Sequence, residues 1–207
     1  TDALQTGEDQ APAPTLVMIA DERIINAASE PGNWLAYGGT YEEQRFSPLA
    51  HIDKDSVSRL GLAFFQDMQS NRALEATPIV VDNMMFLTTS WSRVYALNAV
   101  TGEEIWSYDP EVPGPWARKA CCDVVNRGVA VYKGRVYVAS LDGRLIALDA
   151  TTGKEVWQVN TLTGRSRDYT ITGAPRVANG KVYIGNGGAE YGVRGYMTAY
   201  DAETGEE

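Results

Sequence analysis

Short runs of alternating apolar and polar residues follow one another from residue 77 to the end of the chain. In a first group this alternation predicts four strands, at 77–81, 84–89, 93–98 and 104–108. A second group predicts strands at 128–132, 135–140, 144–149 and 155–159. Pairs such as Asp142-Gly143 separate the strands, and Asp-Gly between β-rich runs is typical of a tight hairpin turn. The pattern therefore predicts antiparallel sheets of four short strands.

A repeat of about 50 residues relates these groups to each other. Residues 96–106 align with 147–157 and, in part, with 199–207. All three segments contain an Asp or Asn followed by a Thr-Gly pair, and the first two end in Trp106 and Trp157. We expect the glycine to take a left-handed turn, the Asx and Thr side chains to bind the turn backbone, and each Trp to pack between neighbouring sheets. Four-stranded units at this period predict an all-β fold, the β-propeller.

The number of repeats bears on the domain organisation. The third repeat reaches Glu207 two positions before the Trp that the other copies predict. A propeller needs at least about four blades to close, and these repeats supply about three. We expect residues 1–33 to be an N-terminal arm and lead-in, with 1–14 flexible, and residues 34–207 to be a partial propeller domain of a longer protein.

Charge and hydropathy argue against several classes of partner. There are 18 Lys and Arg residues against 27 Asp and Glu residues, a net charge of −9, and the excess acid lies in residues 1–30 and 201–207. The remaining body has no basic stripe of the kind that binds a phosphate backbone, so nucleic acid and anionic membrane surfaces are poor candidates. No apolar run approaches the roughly 20 residues of a membrane helix. The N-terminal residues do not resemble a signal peptide, but they suit a chain from which one has been removed.

The repeat does not explain Cys121 and Cys122, which are adjacent and are the only cysteines in the sequence. In a reducing compartment two free thiols in a loop would have no particular role. Bonded to each other, they would hold their Cα atoms about 3.8 Å apart, closer than in an ordinary disulfide, and such a bond needs a reason. On the residues alone both states stay open.

Residues 115–128, which include Cys-Cys-Asp-Val-Val-Asn-Arg-Gly at 121–128, resemble the cofactor loop of the pyrroloquinoline quinone (PQQ)-dependent alcohol dehydrogenases, especially the quinohemoprotein members. Residues 34–49 and the repeats extend the resemblance to the end of the chain. The octet is highly specific, whereas the repeats also occur in non-enzymatic propellers. The resemblance implies an eight-bladed propeller that oxidises alcohols to aldehydes or ketones. Hydride would pass to the quinone C5 beside a Ca²⁺ Lewis acid, and electrons to a cytochrome or other redox protein.

The resemblance also assigns roles to the residues of the octet. Cys121 and Cys122 match a vicinal disulfide that stacks on one face of the cofactor ring, which implies an oxidising compartment and a periplasmic location. Arg127 matches a residue that binds a cofactor carboxylate, a task suited to a guanidinium. Taken alone, Arg127 would be a surface residue paired with Asp123. Val125 matches a neighbouring contact residue.

Other family positions fall in the first and third units. The cofactor-binding candidates there are Glu75, Thr172, Gly187, Gly188 and Ala189. Thr170 is an alternative to Thr172, and the consecutive N–H groups of the glycine-rich run are suited to an oxyanion. Glu190 matches a metal ligand, and Ca²⁺ takes about 6–8 oxygen ligands, several of which the quinone itself would provide.

No residue of this chain matches the catalytic Asp base of the family, which we expect beyond Glu207 with the remaining metal ligands. His51, the single histidine, is expected to have a structural or surface role. A haem c farther along the chain, and a lanthanide in place of Ca²⁺, both stay open. A non-catalytic propeller scaffold is the alternative function, although it would not need Cys121, Cys122, Arg127 and Glu190 together. The adjacent cysteines disfavour a PQQ sugar dehydrogenase.

Overall fold

A computed structural model describes residues 18–162 and 164–207, and its regular structure is almost entirely β. The strands in these residues are β1 (Ile79–Val81), β2 (Met84–Thr88), β3 (Val94–Asn98), β4 (Glu104–Tyr108), β5 (Ala130–Tyr132), β6 (Arg135–Ala139), β7 (Arg144–Asp149), β8 (Glu155–Asn160), β9 (Arg176–Ala178), β10 (Lys181–Gly185) and β11 (Met197–Asp201). The α-helix is α1 (Asp21–Ile25), and the short 3₁₀ turns are Ala27–Ser29, Val57–Arg59, Ser90–Ser92, Gly114–Lys119 and Ala189–Tyr191. The predicted flexible arm, residues 1–14, lies outside the described residues.

The strands form three antiparallel sheets in which sequence neighbours pair. Their orders are β1-β2-β3-β4, β5-β6-β7-β8 and β9-β10-β11. The four-stranded units predicted for the first two groups are therefore confirmed, but their innermost strands begin later than the alternation predicts. The alternation predicts strands from Thr77 and from Gly128, whereas β1 begins at Ile79 and β5 at Ala130. The backbone N–H of Thr77 instead donates across sheets to the Arg127 carbonyl at 3.1 Å, and the backbone N–H of Arg127 donates to the Thr172 carbonyl at 2.9 Å.

The repeated residues join neighbouring sheets as predicted. The Asp149 carboxylate accepts hydrogen bonds from the backbone N–H of Thr152 at 2.8 Å and from its hydroxyl at 2.8 Å. Gly153 follows with φ 70°, and a Cβ placed on it would lie 2.6 Å from the Trp106 ring. The Trp106 indole N–H also donates to the Ala150 carbonyl at 3.0 Å. Each Trp therefore packs one sheet against the turn of the next.

The same contact recurs on both sides of this pair. The Trp157 ring covers Gly205, where a Cβ would lie 2.8 Å from it, and its indole N–H donates to the Ala202 carbonyl at 3.3 Å. On the first sheet Phe64 covers Gly102. Phe64 lies outside the repeats, so the segment before β1 fills the place that Trp106 and Trp157 fill against the later sheets.

The lead-in before residue 34 is part of the packed body where it is described. Ile19 and Ile24 are each 1% exposed and belong to the same core cluster as β1 and β5. Arg23 on α1 bonds to the Glu30 and Asp82 carboxylates, with N–O distances of 2.8 and 2.6 Å. Burial of apolar side chains and this ion-pair group together fix α1 against the first two sheets.

Tyr132 ties α1 to two sheets through one buried hydroxyl. It donates to the Asp21 carboxylate at 2.5 Å and accepts from the Gly180 N–H at 3.0 Å. Burial is the main cause that raises the pKa of Tyr132 to about 12, so the hydroxyl stays neutral at physiological pH.

We expect Tyr132→Phe to lower the free energy of unfolding by about 1–3 kcal/mol, because the Asp21 carboxylate and the Gly180 N–H both lose a partner. Urea unfolding measures the change. Tyr95→Phe on β3 is the control, since the Tyr95 hydroxyl has no hydrogen-bond partner among residues 18–162 and 164–207. Equal losses in the two variants would contradict this role for Tyr132.

Candidate functional site

The candidate site lies where the first strands of the three sheets approach one another. Glu75 precedes β1, Arg127 precedes β5 and Thr172 precedes β9. The cross-sheet backbone bonds from Thr77 to Arg127 and from Arg127 to Thr172 bring the three segments side by side. Glu75 and Thr172 are 97 positions apart in sequence, and both contact the guanidinium of Arg127.

Arg127 is held by two of the other predicted residues. One terminal nitrogen of its guanidinium donates to the Thr172 hydroxyl at 2.6 Å, and the other lies 2.9 Å from a Glu75 carboxylate oxygen. The side chains of Arg127 and Glu75 remain 38% and 40% exposed. The surface alternative, an Arg127–Asp123 pair, is not formed, because Asp123 pairs with Arg72 instead. Arg127 is therefore a fixed, accessible cation.

Cys121 and Cys122 are bonded to each other, with their Cα atoms 3.8 Å apart. Both residues are exposed, and their side chains line a cavity together with Arg127. The disulfide presents a compact sulfur surface with no free thiol. Val125, which is fully buried, lies against the same cavity and supplies apolar contact beside it.

This cavity has a volume of about 160 Å³ and collects most of the residues that the sequence singled out. It is lined by Ala120, Cys121, Cys122, Val125, Arg127, Thr170, Thr172, Gly187, Gly188 and Glu190. Arg127, Thr172 and Gly187 also line an adjoining space of about 490 Å³. Glu75 and Ala189 are not among the lining residues. Glu75 contacts Arg127, which does line the cavity, and Ala189 begins the 3₁₀ turn that follows Gly188.

The glycine-rich loop is held tightly against the segment that precedes it. Gly187 N–H donates to the Thr170 carbonyl at 2.7 Å, so this N–H is already used within the chain. Gly188 has φ 106°, and a Cβ placed on it would lie 2.5 Å from the Asp168 carbonyl oxygen. Glu190 is exposed in the turn that follows. Glu190 therefore follows a loop in which position 188 has a conformation and a close contact that only glycine allows without strain.

Comparison with known proteins identifies the architecture. Residues 34–207 match the family model of the PQQ-dependent glucose, ethanol and alcohol dehydrogenase β-propeller domain. The chain belongs to this family. The predicted β-propeller and the resemblance to PQQ-dependent alcohol dehydrogenases are both confirmed.

Relatives of this PQQ-family chain are bacterial alcohol dehydrogenases. The dehydrogenase subunit of the quinone alcohol dehydrogenase of Komagataeibacter europaeus is 55% identical over 89% of this chain and 26% of its own length. A 1-butanol dehydrogenase (cytochrome c) of Thauera butanivorans is 58% identical over 82% of this chain and 25% of its own. The solved quinohemoprotein alcohol dehydrogenase ADHIIG of Pseudomonas putida superposes with a TM-score of 0.91 at 58% identity, over 94% of this chain and 28% of that one. The chain thus spans about a quarter of the length of these relatives.

Metal binding by this PQQ-family chain would depend on Glu190. Within residues 18–162 and 164–207, no three His, Cys, Asp or Glu side chains are grouped so that they could hold a metal ion. Since Ca²⁺ takes about 6–8 oxygens, the single carboxylate of Glu190 fits only a shared site whose other ligands come from elsewhere. His51 is exposed and does not line the cavity.

Sequence reasoning gave no role to several polar residues around the cavity. Asp123 follows the disulfide directly and binds Arg72, which holds the pKa of Asp123 down to about 2. Lys119 lies 3.3 Å from an Asp168 carboxylate oxygen and thus connects the loop before the disulfide to the loop before Thr170. The position of Asp123 inside the family octet could have drawn attention to it, but no sequence pattern indicates that its partner is Arg72, 51 residues earlier.

Proposed function

We propose that this chain is part of a PQQ-dependent alcohol dehydrogenase about as long as its relatives, and that it forms one wall of the cofactor site. The observation that carries the proposal is the cavity in which a vicinal disulfide, a fixed arginine and a glycine-held carboxylate face one another. Each of these groups is chemically suited to a different part of an ortho-quinone that carries three carboxylates.

The chemistry of the residues present suits PQQ. Cys121, Cys122 and Val125 would contact the flat face of the ring, and a disulfide is suited to that place because a free thiolate would attack a quinone. Arg127 would bind a cofactor carboxylate bidentately. Thr172 and Glu75 hold its guanidinium in one orientation before the cofactor arrives, which reduces the entropy that binding costs.

The metal would lie at the rim of the same cavity. We propose Glu190 as one ligand of Ca²⁺ or a lanthanide, with Gly187, Gly188 and Ala189 placing it and approaching the cofactor closely through their backbones. When bound, PQQ supplies the carbon that accepts hydride and the metal supplies a Lewis acid. The chain's own residues bind and orient; we assign none of them as the catalytic base.

The relatives and the disulfide support proposals for the substrate, the electron acceptor and the location. We propose a small alcohol as substrate and a cytochrome or another redox protein as acceptor, since one relative is named a 1-butanol dehydrogenase (cytochrome c). The Cys121–Cys122 bond suits an oxidising compartment, and we propose the periplasm. None of the helices in residues 18–162 and 164–207 is long and apolar enough to cross a membrane.

We expect Glu190→Gln to weaken Ca²⁺ binding about tenfold or more, because it removes one negative charge from a hard-cation site while keeping side-chain size. Calorimetric Ca²⁺ titration of the PQQ-loaded dehydrogenase that contains this chain measures the affinity directly. Alcohol oxidation with an artificial acceptor should recover in excess Ca²⁺. Glu103→Gln, at an exposed acid in the turn after β3, should reproduce the wild-type calcium curve. A wild-type curve for Glu190→Gln would remove Glu190 from the metal site.

A further inference from the structure

The backbone that carries the disulfide is not in a relaxed conformation. Asp123 has φ 70°, in the left-handed region that non-glycine residues rarely adopt, and it forms an isolated β-bridge with Cys121. Such a conformation persists only when surrounding contacts impose it. The turn directly after the disulfide therefore has a conformation that contacts elsewhere in the fold help to hold.

That support is a cluster around the Asp123 carboxylate. The Arg72 guanidinium bonds to both carboxylate oxygens, with its Nε 3.0 Å from one of them, and the Ala73 N–H donates to the same carboxylate at 3.3 Å. The next residue, Val124, is held separately, because its carbonyl accepts a hydrogen bond from the backbone N–H of Trp91 at 2.8 Å. The turn after the disulfide is thus fastened to two other parts of the fold.

The same two segments are joined a second time at the cofactor residues. Arg72 lies three positions before Glu75, and Asp123 lies four positions before Arg127. Arg72–Asp123 and Glu75–Arg127 are therefore two parallel ion pairs between residues 72–75 and 123–127, with opposite polarity. One pair borders the disulfide, and the other presents the cation to the cavity.

We propose that Arg72 and Asp123 are positioning residues, whose ion pair fixes the Cys121–Cys122 disulfide against the face where the cofactor binds. This rests on the proposed function for the identity of the cofactor. The pair does not line the cavity, so it acts through the disulfide segment and through the spacing between that segment and Glu75.

The test uses Arg72→Gln, Asp123→Asn and the double variant in the dehydrogenase that contains this chain. The first readout is the rate at which dithiothreitol reduces Cys121–Cys122 in the folded apoprotein, followed as two thiols released per cyclised reagent. We expect each single variant to raise this rate about tenfold, the effect of losing one hydrogen bond to a charged group. The double variant should match the singles, because both remove one shared contact.

The second readout is the affinity for PQQ, which should fall about tenfold in the same variants. Arg93→Gln and Asp109→Asn are the matched controls, since Arg93 and Asp109 form an ion pair of 2.8 Å that lies outside the cavity lining, and both readouts should stay at wild-type values. Arg72→Lys keeps the charge but loses the bidentate geometry, so it should give a smaller effect. This variant also serves as the test if the stronger ones do not fold.

Wild-type reduction rates in Arg72→Gln and Asp123→Asn would overturn the positioning role, whatever the cofactor. So would rates that rise as much in the Arg93 and Asp109 controls. Faster reduction in an enzyme whose wild type does not bind PQQ would support the positioning of the disulfide and reject the proposed function instead. The reduction assay contains no cofactor, and for that reason the two failures are distinguishable.

Discussion

Replacing Arg127 with glutamine is expected to lower the affinity for PQQ by about two orders of magnitude, since breaking a hydrogen-bonded charge pair at a binding site typically costs about 2–5 kcal/mol. Glutamine keeps one amide donor for the Thr172 hydroxyl, but it removes the Arg127 cation from the cavity lining. The Glu75 carboxylate would then face the cofactor carboxylates without a counter-charge. Titration of PQQ into the apoenzyme measures the affinity.

Arg93→Gln is the control for this experiment. Arg93 also pairs with a carboxylate, that of Asp109 at 2.8 Å, but it does not line the cavity. Its loss should leave PQQ binding unchanged, because Arg93 borders neither the disulfide nor the cavity. If Arg127→Gln bound PQQ as tightly as wild type, Arg127 would not be a cofactor residue.

The second large effect is expected from Gly188→Ala. With φ 106° at this position and a Cβ only 2.5 Å from the Asp168 carbonyl oxygen and 3.0 Å from a Val193 methyl, the loop must shift. We expect the free energy of unfolding to fall by about 1–3 kcal/mol. Since Glu190 lies two residues later, Ca²⁺ affinity should fall at least about tenfold as well. Urea unfolding and Ca²⁺ titration measure the two effects.

Gly195→Ala is the control, because it shows whether any glycine-to-alanine change in this part of the chain causes the same losses. A Cβ on Gly195 meets nothing within 4 Å, and its φ is not in the left-handed region. Stability and metal affinity should therefore stay at wild-type values in this variant. Similar losses at Gly188 and Gly195 would show that the close approach to Asp168 is not the cause.

The strands and their packing were largely predictable from local patterns. Alternation predicts every strand of the first two sheets, and the repeat predicts that each Trp packs between neighbouring sheets, because both signals are read from neighbouring residues. That Trp106 packs on the turn at Gly153 is seen only in the structure. The start of the inner strands was predicted too early. Thr77 is β-branched and suits a strand, but its backbone N–H donates to the Arg127 carbonyl of the neighbouring segment, a contact that no local pattern encodes.

At the candidate site, the sequence indicated which residues to consider but not which side chains they bind. The octet at 121–128 pointed to the disulfide and to Arg127, yet the only partner that local reasoning suggested for Arg127 was Asp123, which binds Arg72 instead. Arg72 lies in the polar run Gln69–Arg72, which reads as an ordinary loop and has no periodic or motif signal. Ion pairs between distant loops depend on the tertiary fold and are invisible to sequence pattern alone.

The most direct measurement is a crystal structure, with PQQ bound, of the dehydrogenase that contains this chain. We expect the quinone ring in van der Waals contact with Cys121 and Cys122, at about 3.5–4.0 Å. One of its carboxylates should lie within about 2.7–2.9 Å of the Arg127 guanidinium nitrogens. PQQ bound at another place, with neither the disulfide nor Arg127 in contact with it, would contradict the assignment of this cavity as the cofactor site.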